Sequence, residues 1–144
     1  MQLETKSKKI GQYDYRVTQL DALSGRKLFI RLAKIAGPAL GEFDTKDAQK
    51  SIAAVLGKIA ASLSDEDMDA FCDVLAKTTE VAGGEYNQRS PQLADVFALH
   101  FAGKYLEMFQ WLAFALEVNF GDFFSRALGS GALAAKQPAP AQAA

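Results

Sequence analysis

His100 and Cys72 are the only histidine and the only cysteine in the chain, and they are the first places to look for chemistry. One imidazole, with no second histidine and no usable thiol, cannot assemble a zinc site. As a general base His100 would need a nucleophile beside it, and the sequence places neither a serine nor a thiol there. A helix-surface or partly buried histidine is the expectation. Cys72 falls among Met68, Phe71 and Leu75 at helical spacing and reads as a small buried hydrophobe. Asp65, Asp67 and Asp69 match the first three positions of a calcium loop. Ala70 then stands where that loop requires glycine, and Ala76 where it requires glutamate. Gly57-Lys58 ends like a phosphate-binding loop, but Ile52 occupies the position of its first glycine. The reading is of a non-enzyme with no catalytic residue, metal ligand or cofactor.

What remains is a surface to cover or to offer. Phe97 to Phe124 holds most of the aromatic side chains. Phe97, Phe101, Tyr105 and Phe109 sit four residues apart, which on a helix forms one stripe, and such a stripe reads as core. Trp111, Leu112, Phe114, Ala115 and Val118 extend the apolar surface around most of the circumference, so something must cover it. Asn119-Phe120-Gly121 reads as a break in that helix. For Phe120, Phe123 and Phe124, core and interaction surface are both open.

At 144 residues and a net charge of −1, the chain fits one domain over 1–128, large enough to fold without disulfides or metal. Near-neutral charge gives no pull toward nucleic acid or anionic membrane. The apolar run from Met108 to Phe120 is too short to span a bilayer. No secretory signal is read at the N-terminus, and one cysteine suits a reducing cytoplasm.

The predicted fold is mainly α: five to six helices, a small N-terminal β-hairpin over 3–19 and an Ala/Pro-rich disordered tail over 129–144. Tyr13, Tyr15 and Val17 alternate with polar residues as a half-buried strand does. Asp21 or Ser24 caps a helix bearing Leu28, Leu32 and Ile35, with a stop at Gly37-Pro38. Asp44 or Thr45 caps the next, where Leu56, Ile59, Ala60 and Leu63 keep helical spacing. Ser64 followed by Asp65-Glu66-Asp67 opens a third. Residues 78–88 read as a second hairpin around Gly83-Gly84. Ser90-Pro91 opens a helix over 91–101, a break near Gly103 precedes another over 104–118, and a short one runs from Asp122 to Leu128.

Lys27, Arg31 and Lys34 share the polar face of the first helix, with Lys6, Lys8 and Lys9 as an extension. Charge runs are usually solvated faces; docking to an acidic partner is the functional alternative.

Val17-Thr18-Gln19-Leu20, the helix Gly25 to Lys34 ending at Gly37-Pro38, and the late run Trp111 to Phe124 together resemble the tail assembly chaperones of long-tailed bacteriophages and prophages. Asn119-Phe120-Gly121-Asp122-Phe123-Phe124 is the most specific part. The resemblance implies a protein that binds the helical tape measure protein in the host cytoplasm. It would keep that protein soluble, assist tail-tube assembly and be absent from the mature virion. Tail-tube protein and a longer, frameshifted form of the same chain are further partners it allows, and homo-oligomers are left open. Trp111, Phe120, Phe123 and Phe124 are then expected to line the contact surface, with Lys27, Arg31 and Lys34 as a secondary face. On that expectation, serine at 123 and 124 would abolish binding and leave melting unchanged. A small structural virion component, such as a head–tail connector or tail completion protein, is the competing reading. A nucleic-acid-binding regulator using the basic helix is weaker.

Overall fold

The computed structural model describes residues 3–40 and 52–129, with side chains over 3–35 and 56–126. The cap expected at Asp44 or Thr45 lies outside these residues, as does the tail expected over 129–144 apart from Gly129 itself. Strands β1 (Thr5–Ile10) and β2 (Tyr13–Thr18) form the expected hairpin. Among the described residues five helices follow: α1 (Ala22–Leu40), α2 (Ile52–Ala61), α3 (Asp65–Ala76), α4 (Leu93–His100) and α5 (Tyr105–Gly129). A third strand, β3 (Thr79–Gly83), lies between α3 and α4.

The sheet order is β1-β2-β3, antiparallel throughout. Tyr13, Tyr15 and Val17 are buried on its helix-facing side, as their alternation predicts. Arg16 lies on the other side and pairs with Glu80 opposite it at 2.6 Å. Both are half-exposed, so this pair adds at most about 1 kcal/mol. The edge strand β1 carries Lys6, Lys8 and Lys9, charges that discourage edge-to-edge pairing.

Residues 78–88 do not close on themselves as a second hairpin. β3 instead occupies the free edge of β2, supplying the partners that strand would otherwise lack. The chain then leaves the sheet through a 3-10 turn, Gly84–Tyr86. Gly84 has φ +51° and a Cβ there would stand 2.8 Å from the Tyr13 ring, so only glycine lets the chain pass over that side chain.

The next helix begins later than Ser90-Pro91 suggests. The Pro91 carbonyl accepts the Val81 N–H at 3.0 Å, and Gln92 bridges Glu80. Residues 91–92 are thus held against the sheet, and α4 starts at Leu93 with Gln92 as N-cap. The first helix also departs from its expected end, since α1 continues through Gly37-Pro38 to Leu40. So near a helix terminus, proline removes a single backbone hydrogen bond with little helix left to lose.

The largest difference is α5. Neither Asn119 nor Gly121 breaks it, and no separate helix begins at Asp122. Asn119 Nδ2 donates to the Ala115 carbonyl at 3.0 Å, while its Oδ1 accepts the Leu20 N–H at 2.8 Å. A residue chosen as a helix breaker thus fastens the start of α1 to α5. Gly121 is buried, and a Cβ there would press on Glu117 Cγ at 3.1 Å.

This continuous helix is the axis of the core. Trp111, Leu112, Ala115 and Leu116 are fully buried, which accounts for an apolar surface running nearly all round. They are covered by α2 through Leu56, Ile59 and Ala60, by α3 through Phe71 and Leu75, and by the sheet through Tyr15 and Val17. Burial pushes the Cys72 thiol up to about 12, so it stays protonated and inert. Ser64 caps α3 as expected, its Oγ accepting the Asp67 N–H at 3.2 Å.

Candidate partner-binding surface

The aromatic residues expected to face a partner fall into two groups. Trp111 is fully buried, and its indole N–H donates to Thr79 Oγ1 at 3.2 Å. Phe120 and Phe124 are also buried, at 7% and 2% exposure. These three are core side chains of the chain described here. Phe123 is the exposed member, at 47%. Helical geometry explains the split: Phe120 and Phe124 are four apart and point inward together, while Phe123 is turned about 100° from Phe124.

Phe123 stands edge-on to Phe29 at 4.9 Å, and Phe29 also contacts Phe120 at 5.9 Å. Phe29 is thereby the link between α1 and the end of α5. Along the outer side of α1, Leu23 and Ile30 are exposed at 69% and 48%. At helical spacing they share a face with Lys27 and Lys34, and all four are in solvent. Arg31 lies toward α3 and donates to Asp67 Oδ1 at 2.6 Å. That hydrogen bond, chiefly, holds the Asp67 carboxyl below its ordinary range. Among the described residues Lys27 and Lys34 have no ion-pair partner, so they are the free cations of this face. Lys8 instead lies over the Phe114 ring at 5.8 Å, and Lys6 lines a polar groove against α5 with Glu117 and Asp122. The basic N-terminal residues therefore do not extend the α1 face as expected.

A second exposed surface lies at the elbow between α4 and α5. The stripe of Phe97, Phe101, Tyr105 and Phe109 does not run straight, because Gly103, at φ +75°, turns the chain between the two helices. Phe101 is buried and Phe97 and Phe109 pack against the core, but Tyr105 is 64% exposed. Leu99 and Leu106 are exposed at 88% and 72%. Sequence reading placed the break correctly and then carried the helical spacing across it.

Under this elbow lies a polar cluster centred on His100, which is buried rather than on a helix surface. Tyr15 Oη is 2.6 Å from Nε2 and Tyr86 Oη is 2.8 Å from Nδ1. Tyr15 is fully buried and this nitrogen is its hydroxyl's partner, so the hydroxyl donates to it. That assigns the proton to Nδ1, which donates to Tyr86. Burial lowers the His100 pKa, with Lys104 assisting and Glu85 opposing. Tyr13 donates to Glu85 Oε1 at 2.6 Å and accepts from Lys104 Nζ at 3.1 Å. Each ring nitrogen of His100 thus has a tyrosine hydroxyl as its partner. Among the described residues no group of three or more His, Cys, Asp or Glu could hold a metal ion, and no helix is long and apolar enough to cross a membrane.

A mainly helical domain on a three-stranded sheet, offering separate apolar surfaces edged by charge, has the makings of a binding protein. Residues 11–133 match the phage tail assembly chaperone family (TAC), and the chain belongs to that family. Its role is accordingly in the assembly of bacteriophage tails. No curated protein and no solved structure matches the chain.

Proposed function

We propose that this chain binds the tape measure protein, covers apolar stripes of its helices and keeps it soluble while the tail tube assembles around it. The observation that carries the reading is membership of the tail assembly chaperone family across residues 11–133. A long helical protein awaiting assembly exposes apolar stripes that aggregate unless covered, and an apolar surface on a helical partner can take them. The contact surface proposed here is Phe123 with Leu23 and Ile30, flanked by Lys27 and Lys34. Arg31 contributes less, being tied to Asp67. The chain acts without catalysis, works in the host cytoplasm and leaves before the virion is complete. Release during tube growth favours modest affinity at each of many sites. Tube subunits and a longer form of the same chain remain further partners in this scheme.

Lysine-directed cross-linking in infected-cell lysate tests the contact. Lys27 or Lys34 should cross-link to the tape measure protein, and mass spectrometry of purified particles should find none of this chain. Its presence in particles in stoichiometric amount would instead make it a structural component.

A further inference from the structure

The α1 face carries cations; the elbow carries the opposite charge. Between the Gly84–Tyr86 turn and α4 runs an open groove of about 470 Å³. Val96, Ala98 and Leu99 form its apolar wall, and Tyr86 and His100 its floor. The His100 ring has a hydroxyl on each nitrogen, so neither nitrogen is free for a ligand. Leu99 leaves the wall almost fully exposed, and Tyr105 and Leu106 continue the apolar surface beyond the turn.

The rim is acidic. Glu85 and Asp95 line it, and no lysine or arginine does. The Glu85 carboxyl is held below its ordinary range by the Tyr13 hydroxyl and remains ionised at neutral pH. The Asp95 carboxylate has no hydrogen-bond or ion-pair partner among the described residues. Lys104, whose charge also acts on Glu85, donates to the Tyr13 hydroxyl and lies over its ring at 4.8 Å, and Arg89, four residues after Glu85, is exposed and lines no part of the groove.

We infer that this groove docks an amphipathic helix of a partner protein that carries lysine or arginine beside its apolar stripe. The inference rests on the client-binding reading above and gives one client segment its chemistry. Leucine-sized side chains would cover Val96 and Leu99, and the cation would sit between Glu85 and Asp95. An acidic rim excludes nucleic acid. It also sets the groove apart from the α1 face, which suits an acidic segment. A client with helices of both charge patterns would be held in one orientation, because complementary charge fixes register.

The test uses the full chain, labelled for amide NMR, and two synthetic helical peptides sharing one leucine stripe. One is flanked by lysine and the other by glutamate. The lysine peptide should shift the amides of Glu85, Val96, Leu99 and Tyr105, and the glutamate peptide should bind about fivefold more weakly. Asp95→Lys should reverse that preference. Leu99→Ser should weaken both peptides about tenfold with unchanged circular dichroism, since Leu99 lies outside the core. Equal affinity for the two peptides, or shifts confined to α1 around Leu23 and Ile30, would overturn the inference. So would self-association of the chain that Asp95→Lys abolishes, because the groove would then serve a second copy. Each of these leaves the tape measure reading standing. Failure of the chain to bind the tape measure protein would remove that reading and leave the peptide result intact.

Discussion

Phe123 meets the ring of Phe29 edge-on at 4.9 Å and an interplanar angle of 84°, so the exposed aromatic at the end of α5 is positioned by α1. Its neighbour Phe124 is 2% exposed. Replacing both by serine cannot separate binding from folding, contrary to what their adjacency suggests. Phe123→Ser alone should cost about 1 kcal/mol, the value of a partly buried ring, and weaken client binding. Phe124→Ser should cost about 3 kcal/mol or more, as core truncations of aromatics do. Thermal melts of the two variants decide this, and equal losses would contradict the assignment.

Trp111 belongs to the fold in the unbound chain. Trp111→Ala should destabilise by about 3–5 kcal/mol and leave Thr79 Oγ1 without its indole donor. Trp111→Phe should cost less, since it restores most of the volume. Denaturant titration measures both. A Trp111→Ala variant as stable as the parent would return this residue to the surface.

The Tyr15–His100–Tyr86 chain makes stability depend on pH. The folded-state His100 pKa lies below the ordinary 6.5 because burial disfavours the cation. Above about 6.5 neither folded nor unfolded imidazole is charged, and the contribution to stability is complete. As pH falls below that value the unfolded state takes up a proton first, so stability declines until the folded ring protonates too. A proton on Nε2 would also remove the acceptor of the buried Tyr15 hydroxyl. Denaturation midpoints should therefore fall as pH drops below about 6.5. In His100→Phe that pH dependence should disappear, at a cost of about 2–3 kcal/mol from the unpaired tyrosine hydroxyls. An unchanged slope in the variant would assign it to other groups.

Asn119→Leu tests the tie between the hairpin exit and α5. It leaves the Leu20 N–H without the acceptor it has at 2.8 Å and should cost about 1–2 kcal/mol. Hydrogen exchange at Leu20 should quicken in the variant. Protection equal to the parent's would show that this amide has another partner.

The helical character, the N-terminal hairpin and the Ser64 cap were legible because each is written in local pattern. Tyr13, Tyr15 and Val17 alternate, and Ser64 precedes three acids. The family was legible in Trp111 to Phe124 together with the first helix. What local pattern could not give was tertiary. β3 pairs with β2 across α1, α2 and α3 rather than with its sequence neighbours. Asn119 looks like a breaker until Leu20 is found against it. His100 reads as helix-surface or partly buried, and only the fold brings Tyr15 and Tyr86 onto it from distant elements. Residue type also could not tell Phe123 from Phe124, since one residue of helical rotation separates the exposed ring from the buried one.

Expressing the tape measure protein alone, with this chain, and with its Phe123→Ser variant, and then measuring how much stays soluble, tests whether the chain holds it in solution. On the binding reading proposed above, the tape measure protein should be insoluble alone, form a soluble complex with several copies of the wild-type chain, and be recovered in reduced amount with the variant. A tape measure protein that stays insoluble beside abundant wild-type chain, with nothing co-purifying, would contradict it.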